Sequence, residues 1–156
     1  MSTCGCPGSQ TMAFKRNEDS ATAGADVVAK SQLSQWPIQM HLVNPMAPYF
    51  QGADVVLTAD CVAYALGSYH SAYLKGRSIG IACPKLDDNQ EVYIEKIKAW
   101  IDDAKINTLT VMIMQVPCCG GLLALAKKAA AEAKRKVPIK YVIVGLQGDI
   151  LEEAWA

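Results

Sequence analysis

Four of the six cysteines in this 156-residue chain come directly after apolar segments with the pattern of buried β-strands. Cys61 ends the run DVVLTADC, Cys83 follows SIGIA, and the pair Cys118–Cys119 follows TVMIMQVP. Because parallel strands end at one edge of a sheet, and such folds bind ligands at that edge, we expect the four thiols to converge. Thiolates are soft ligands, and a set of four suits an iron–sulfur cluster or zinc.

The arrangement of these cysteines favours a functional cluster over four unrelated buried residues. A single cysteine after a strand is most often a small buried hydrophobe. Structural zinc usually uses C-x₂₋₄-C knuckles, which the chain lacks, so ligands spread over several strand ends suit a larger cluster better. The helix that begins behind the pair should lower the thiolate pKa. The expected ligands are Cys61, Cys83, Cys118 and Cys119.

Other residues could extend or surround such a site. Additional candidate ligands are Cys4, Cys6, His41 and His70. Asp60, which precedes Cys61, could hydrogen-bond to the ligand region, and Lys85 could lower a thiolate pKa. Gly120, directly after the cysteine pair, is the third residue expected to surround the ligands, with Asp60 and Lys85. Asp87 and Asp88 have the position of helix caps.

Composition and charge narrow the function classes. Lysines and arginines number 15, as do aspartates and glutamates, so no basic excess predicts nucleic-acid binding. No apolar run approaches the ~20 residues that a membrane span needs, and the N-terminus lacks the apolar stretch of a signal peptide. We therefore expect a cytoplasmic protein, where clustered thiols serve metal or redox roles rather than disulfides.

The chain divides into a flexible cysteine-containing tail, residues 1–30, and one α/β domain, residues 31–156. The tail is rich in small and polar residues, whereas later segments alternate between apolar runs and helical patterns. The expected strands are 38–43, 54–59, 78–82, 109–116 and 141–144. The expected helices are 62–75, 90–105 and 120–136, and a short turn ends the chain.

This alternation predicts βαβ units and a mostly parallel sheet. The expected architecture is an α/β three-layer sandwich, Rossmann-like or flavodoxin-like, with about five strands and helices on both faces. No Walker or G-x-G-x-x-G pattern occurs, which leaves a nucleotide site with little support.

From about Leu33 the chain resembles the carboxyl-terminal region of 4Fe-4S ferredoxin-like, iron–sulfur binding proteins of anaerobic bacteria and archaea. The segments that carry the resemblance are SQWPIQMHLVNPMAPYFQGADVVLTADC, ALGSYHSAYLKG, IACPKLDD and VPCCGG. The C-x₂-C-x₂-C-x₃-C run of the ferredoxin module is missing, so any cluster depends on the cysteines already named. The resemblance implies an anaerobic host and a cluster of the 4Fe-4S type.

The leading hypothesis is an iron–sulfur protein with an electron-transfer or redox accessory role and a redox protein as its partner. One alternative is thiol/disulfide chemistry at Cys118–Cys119 or at Cys4 and Cys6. Another is a zinc-binding structural or interaction module. The sequence is also compatible with a homo-oligomer, and predicts neither a nucleic-acid nor a membrane partner.

Overall fold

The computed structural model of the protein describes residues 29–156. It contains one five-stranded sheet and three α-helices. The strands are β1 Asp54–Ala59, β2 Ser78–Ala82, β3 Thr108–Met114, β4 Ile139–Val144 and β5 Ile150–Trp155. The helices are α1 Val62–Ala65, α2 Glu91–Asp102 and α3 Gly120–Glu132, with a π-helical segment at Tyr69–Leu74. Short 3₁₀ turns lie at Pro48–Phe50 and Pro117–Cys119.

The strand order is β2-β1-β3-β4-β5, and only β5 is antiparallel to its neighbour. From β1 the chain moves to one side to form β2, and then crosses to the other side for β3 and β4. Because such crossovers are right-handed, α1 and the π-helical segment cover one face while α2 and α3 cover the other. The predicted three-layer α/β sandwich is therefore confirmed, with its switch point between β1 and β3.

Strand β1 runs through the centre of the core, since its residues from Val55 to Ala59 are all buried. On the α2 side, the fully buried Trp100 packs against Phe50, with ring centroids 4.9 Å apart. Such complete burial on both faces explains the continuous apolar runs of the central strands. Among residues 29–156, no helix is long and apolar enough to cross a membrane.

The predicted strand at residues 38–43 is wrong. Gln39 forms a single parallel bridge with Ile81 of β2, after which the chain turns. The ammonium group of Lys96 donates to three carbonyl oxygens between residues 40 and 43, at 2.7, 3.0 and 2.9 Å. These carbonyls therefore bind a lysine instead of a neighbouring strand.

Two further expectations are corrected. The predicted helix at 62–75 is broken, because Leu66 is extended and separates α1 from the π-helical segment. The predicted carboxyl-terminal turn is strand β5, which pairs with β4 along the sheet edge. Its side chains are almost all exposed, so β5 lacks the alternation that marks a half-buried strand. The remaining elements lie where they were expected, with ends that differ by a few residues.

Candidate functional site

The four cysteines of the domain lie at the carboxyl ends of three adjacent parallel strands. Cys61 follows β1, Cys83 follows β2, and Cys118 and Cys119 lie in the 3₁₀ turn after β3. The last residues of β1 and β2 are paired in register, and the N–H of Asp60 donates to the carbonyl of Ala82 at 3.2 Å. The chain therefore leaves the sheet toward Cys61 and Cys83 from neighbouring positions.

The thiols are close enough to influence one another's ionisation. Cys61 is exposed as a residue, yet partial burial of its thiol is the largest cause that raises its pKa. The neighbouring Cys83, Asp60 and Cys118 raise this pKa further, because each would place a second negative charge near a Cys61 thiolate. The structure thus places Cys61 close enough to interact electrostatically with a thiol from each of the other two strand ends.

Cys119 is the most buried of the four thiols, with 6% of its surface exposed. Burial raises its pKa to about 11, and a hydrogen bond with the backbone of Met114 only partly opposes this rise. The neighbouring Cys118 and Cys61 add to the rise. The expected lowering of the thiolate pKa at the start of α3 is therefore wrong for Cys119, since burial is the largest cause and raises this pKa.

The loop that carries Cys83 is organised by Asp87. One carboxylate oxygen of Asp87 accepts the N–H of Cys83 at 2.9 Å and the hydroxyl of the buried Tyr93 at 2.5 Å. The ring of His41 packs on Tyr93, with centroids 4.7 Å apart, and its Nε2 donates to the carbonyl of Asp88 at 2.9 Å. Neither aspartate side chain caps α2, so the predicted cap role is corrected: Asp87 fixes the backbone of Cys83 instead.

The loop that carries Cys83 packs closely against the first turn of α3, which follows the cysteine pair. A Cβ at Gly121, in the first turn of α3, would lie 3.2 Å from Cβ of Pro84. Gly120, the predicted neighbour of the site, has open space at the same position. A side chain at 121 would therefore crowd Pro84, whereas one at 120 would not, so Gly121 lets the start of α3 approach the residue after Cys83.

The remaining candidates are placed apart from the thiols or outside the described residues. His41 supports the Cys83 loop, while the Nδ1 of His70 accepts the N–H of Gln32 at 3.1 Å. Lys85 is exposed and is not among the groups that shift the pKa of Cys61 or Cys119. The predicted ligands Cys4 and Cys6, with most of the predicted tail, lie outside residues 29–156.

The described residues form no ready-made site for a single metal ion. Within the part of the chain that the structure describes, no group of three or more His, Cys, Asp or Glu side chains is arranged to hold one ion. A cluster of several iron and sulfide ions is larger than one ion, so its ligands stand farther apart, and cysteine thiolates are its usual ligands. Cys61, Cys83, Cys118 and Cys119 would hold it.

Sequence reasoning missed the supporting roles of Asp87 and Tyr93. The signal was the short segment CPKLD, in which an aspartate four residues after Cys83 can reach back to that residue's N–H. The sequence holds no comparable signal for Tyr93, because its apolar neighbours in α2 indicate only that it belongs to the hydrophobic core.

The doubly wound sheet and its strand-end site define a Rossmann-like α/β protein. A family model described as a Rossmann-like domain matches residues 47–155, and the chain belongs to this family. It is also similar to a protein of Archaeoglobus fulgidus described as uncharacterized, with 31% identity over 121 residues, or 76% of this chain and 83% of the relative. No solved structure matches the chain.

Proposed function

We propose that the protein binds an iron–sulfur cluster at the carboxyl edge of its sheet and serves in electron transfer. The observation that carries this proposal is the convergence of four thiols from three adjacent strand ends, with Cys61 in electrostatic contact with the others. A bound cluster of the 4Fe-4S type would supply reversible uptake of an electron. The domain's own contribution is to hold the ligands on rigid strand ends and to bury one side of the site.

The ionisation of the thiols favours metal binding over nucleophilic chemistry. A catalytic cysteine is usually activated by a nearby cation that lowers its pKa, whereas the pKa values of Cys61 and Cys119 are raised. A metal displaces thiol protons directly, so ligand cysteines need no such activation. Cluster assembly should therefore release protons and proceed more readily as the pH rises toward the thiol pKa values.

The surroundings of the site suit exchange of electrons with another protein. Cys61 is exposed, and Tyr64 and Leu86, from the segments after Cys61 and Cys83, have 93% and 80% of their surface exposed. An apolar rim beside a partly exposed redox centre is suited to docking a redox partner. The resemblance to iron–sulfur proteins of anaerobes supports the same role, in the cytoplasm of an anaerobic cell.

Reconstitution without oxygen tests the ligand set. The full-length protein is incubated with ferrous iron and sulfide, and its visible absorbance and electron paramagnetic resonance are recorded before and after reduction. Serine variants of Cys61, Cys83, Cys118 and Cys119 should each lose or alter the cluster signals. A double variant, Cys4→Ser with Cys6→Ser, is the matched control and should keep them. Signals that survive all four core substitutions would contradict the proposal.

A second candidate function is reversible disulfide chemistry at Cys118–Cys119. It is favoured by one observation: the two thiols lie side by side in one 3₁₀ turn, and Cys118 raises the pKa of Cys119. In such chemistry the two thiols lose two electrons and two protons to an oxidised dithiol protein, whose disulfide is reduced. Alkylation and mass spectrometry with and without reductant would show a linked pair. Free alkylation of both residues in oxidised samples would exclude it.

A further inference from the structure

Charge is divided between the two ends of the sheet, although the chain as a whole is neutral. At the carboxyl edge, the connections between elements contain four aspartates and one lysine, which are Asp60, Asp87, Asp88, Asp149 and Lys85. At the opposite edge, the connections contain one aspartate, Asp103, and six cations. Those cations are Lys75, Arg77, Lys105, Lys134, Arg135 and Lys136. The edge that carries the thiols is therefore the acidic end of the domain.

Charged residues next to these connections do not remove the difference between the two ends. At the carboxyl edge, Glu91 in the first turn of α2 adds a negative charge, and Lys30, close in the chain to the Gln32 that bonds to His70, adds a positive one. A protonated His70 would still leave this edge negative. The opposite edge stays positive when the carboxylates at the adjoining ends of elements are counted, which are Asp54, Asp102 and Glu132. Such a separation of charge orients an approaching charged protein, and here it draws a basic surface toward the thiols.

Large apolar side chains are exposed at the same acidic edge. Tyr64 and Leu86 are almost fully exposed, and they follow two neighbouring strand ends. Leu42 is 67% exposed and follows His41, whose ring bonds to the carbonyl oxygen of Asp88. That hydrogen bond holds the segment of Leu42 beside the loop of Leu86. Apolar side chains with charged neighbours are typical of protein–protein docking surfaces, in which the apolar part supplies contact area and the charges select the partner.

We propose that the carboxyl edge docks a redox protein whose own docking face has an apolar centre and a rim of lysines or arginines. This inference rests on the proposed function, because electron transfer is what makes the partner a redox protein. The competing occupant is a second copy of the chain, whose opposite edge carries the cations. A second copy docked in this way would cover the site with an edge that carries none of the four thiols of residues 29–156. Electron exchange therefore favours a different protein as the occupant.

The test uses a basic c-type cytochrome as the probe and the same cytochrome with acetylated lysines as its control. The ferrous cytochrome is added to the full-length protein, isolated without oxygen, and amide chemical shifts of the protein are followed by NMR. Saturable shifts should centre on Tyr64, Leu86 and Asp88. Raising the salt concentration from about 0.02 to 0.2 M should weaken binding at least about tenfold, because exposed charges are screened. Acetylation removes the lysine charges and should weaken binding at least about tenfold as well. Equal binding of the two cytochromes, shifts centred on β5 or on the opposite edge, or the absence of saturable shifts would overturn the proposal.

Pairs of surface variants separate the charged contact from the apolar one. Asp88→Asn combined with Asp149→Asn removes two exposed charges from the edge, and should weaken cytochrome binding about fivefold and reduce its dependence on salt. Asp103→Asn, exposed at the opposite edge, is the matched control and should leave binding unchanged. Leu86→Ala should weaken binding about fivefold or more, whereas Leu151→Ala, exposed on β5, should not. An edge variant that binds as its control does, while both remain folded by circular dichroism, would contradict the proposed surface.

The outcomes for docking and for the cluster can be told apart, because binding is measured without electron transfer. Cytochrome binding at the carboxyl edge of protein that holds no iron or sulfide would support the docking surface while the cluster proposal fails. Protein that holds both elements but does not bind the cytochrome would overturn the docking proposal alone. Sedimentation of the protein by itself at low salt should show no self-association that disappears as salt is added. Chains of copies with that behaviour would assign the edge to a second copy and overturn the proposal.

Discussion

Asp87 should be the residue that holds the Cys83 loop in place, and its removal should be costly. In Asp87→Ala the N–H of Cys83 and the hydroxyl of Tyr93 lose the carboxylate oxygen that they share, at 2.9 and 2.5 Å. A hydrogen bond to a charged group contributes about 1.5–3 kcal/mol, and the loop is only partly buried. We therefore expect the free energy of unfolding to fall by about 3 kcal/mol. For a chain of 156 residues this lowers Tm by about 6–12 °C.

Circular dichroism of reduced, metal-free protein measures this effect, and a double-mutant cycle assigns it. Tyr93→Phe removes one of the two bonds and should lower the free energy of unfolding by about 1.5 kcal/mol. Because both substitutions break the same bond, their combination should be less destabilising than the sum by at least about 1 kcal/mol. Asp87→Asn keeps an acceptor oxygen and should lie between the parent and Asp87→Ala. Additive effects, or a Tm within ~2 °C of the parent for Asp87→Ala, would refute the reasoning.

Three further predictions concern other parts of the domain. Lys96→Met should lower the free energy of unfolding by about 2 kcal/mol in a denaturant titration, because three carbonyl oxygens lose their donor; unchanged stability would mean that water replaces the ammonium group at no cost. Gly148→Ala should cost more than about 2 kcal/mol, since Gly148 has φ +94° and the new Cβ would lie 2.4 Å from the carbonyl oxygen of Ala65; a normal melting curve would contradict this. Burial, with the charge of Asp87 in addition, raises the pKa of Asp60, so its ionisation destabilises the folded state as pH rises through that pKa. Asp60→Asn should therefore raise Tm at pH 7 and lose this advantage below about pH 4, the ordinary range of an aspartate in the unfolded chain; an equal gain at both pH values would argue against it.

The central strands and the cysteine edge could be predicted because their cause is local in the sequence. Apolar runs such as Val55–Ala59 must be buried on both faces, and a cysteine directly after such a run lies at the strand's end in any parallel arrangement. The strand predicted at 38–43 failed because of a contact between distant residues. The carbonyls after Gln39 are bound by Lys96, more than fifty positions later in the chain.

Strand β5 and the details of the site could not be predicted from the local sequence either. Strand β5 pairs through its backbone while its side chains stay exposed, so its sequence shows no hydrophobic alternation that would indicate a strand. The pKa of Cys119 depends on how deeply the turn after β3 is buried, which spacing along the chain does not express.

The most direct test of the central claim is the iron and acid-labile sulfide content of the full-length protein isolated without oxygen from anaerobically grown cells. The account predicts iron and sulfide in equal amounts, both lost in a Cys61→Ser, Cys119→Ser double variant that remains folded by circular dichroism. Protein without iron or sulfide, in which alkylation finds the four core thiols free and reduced, would contradict it.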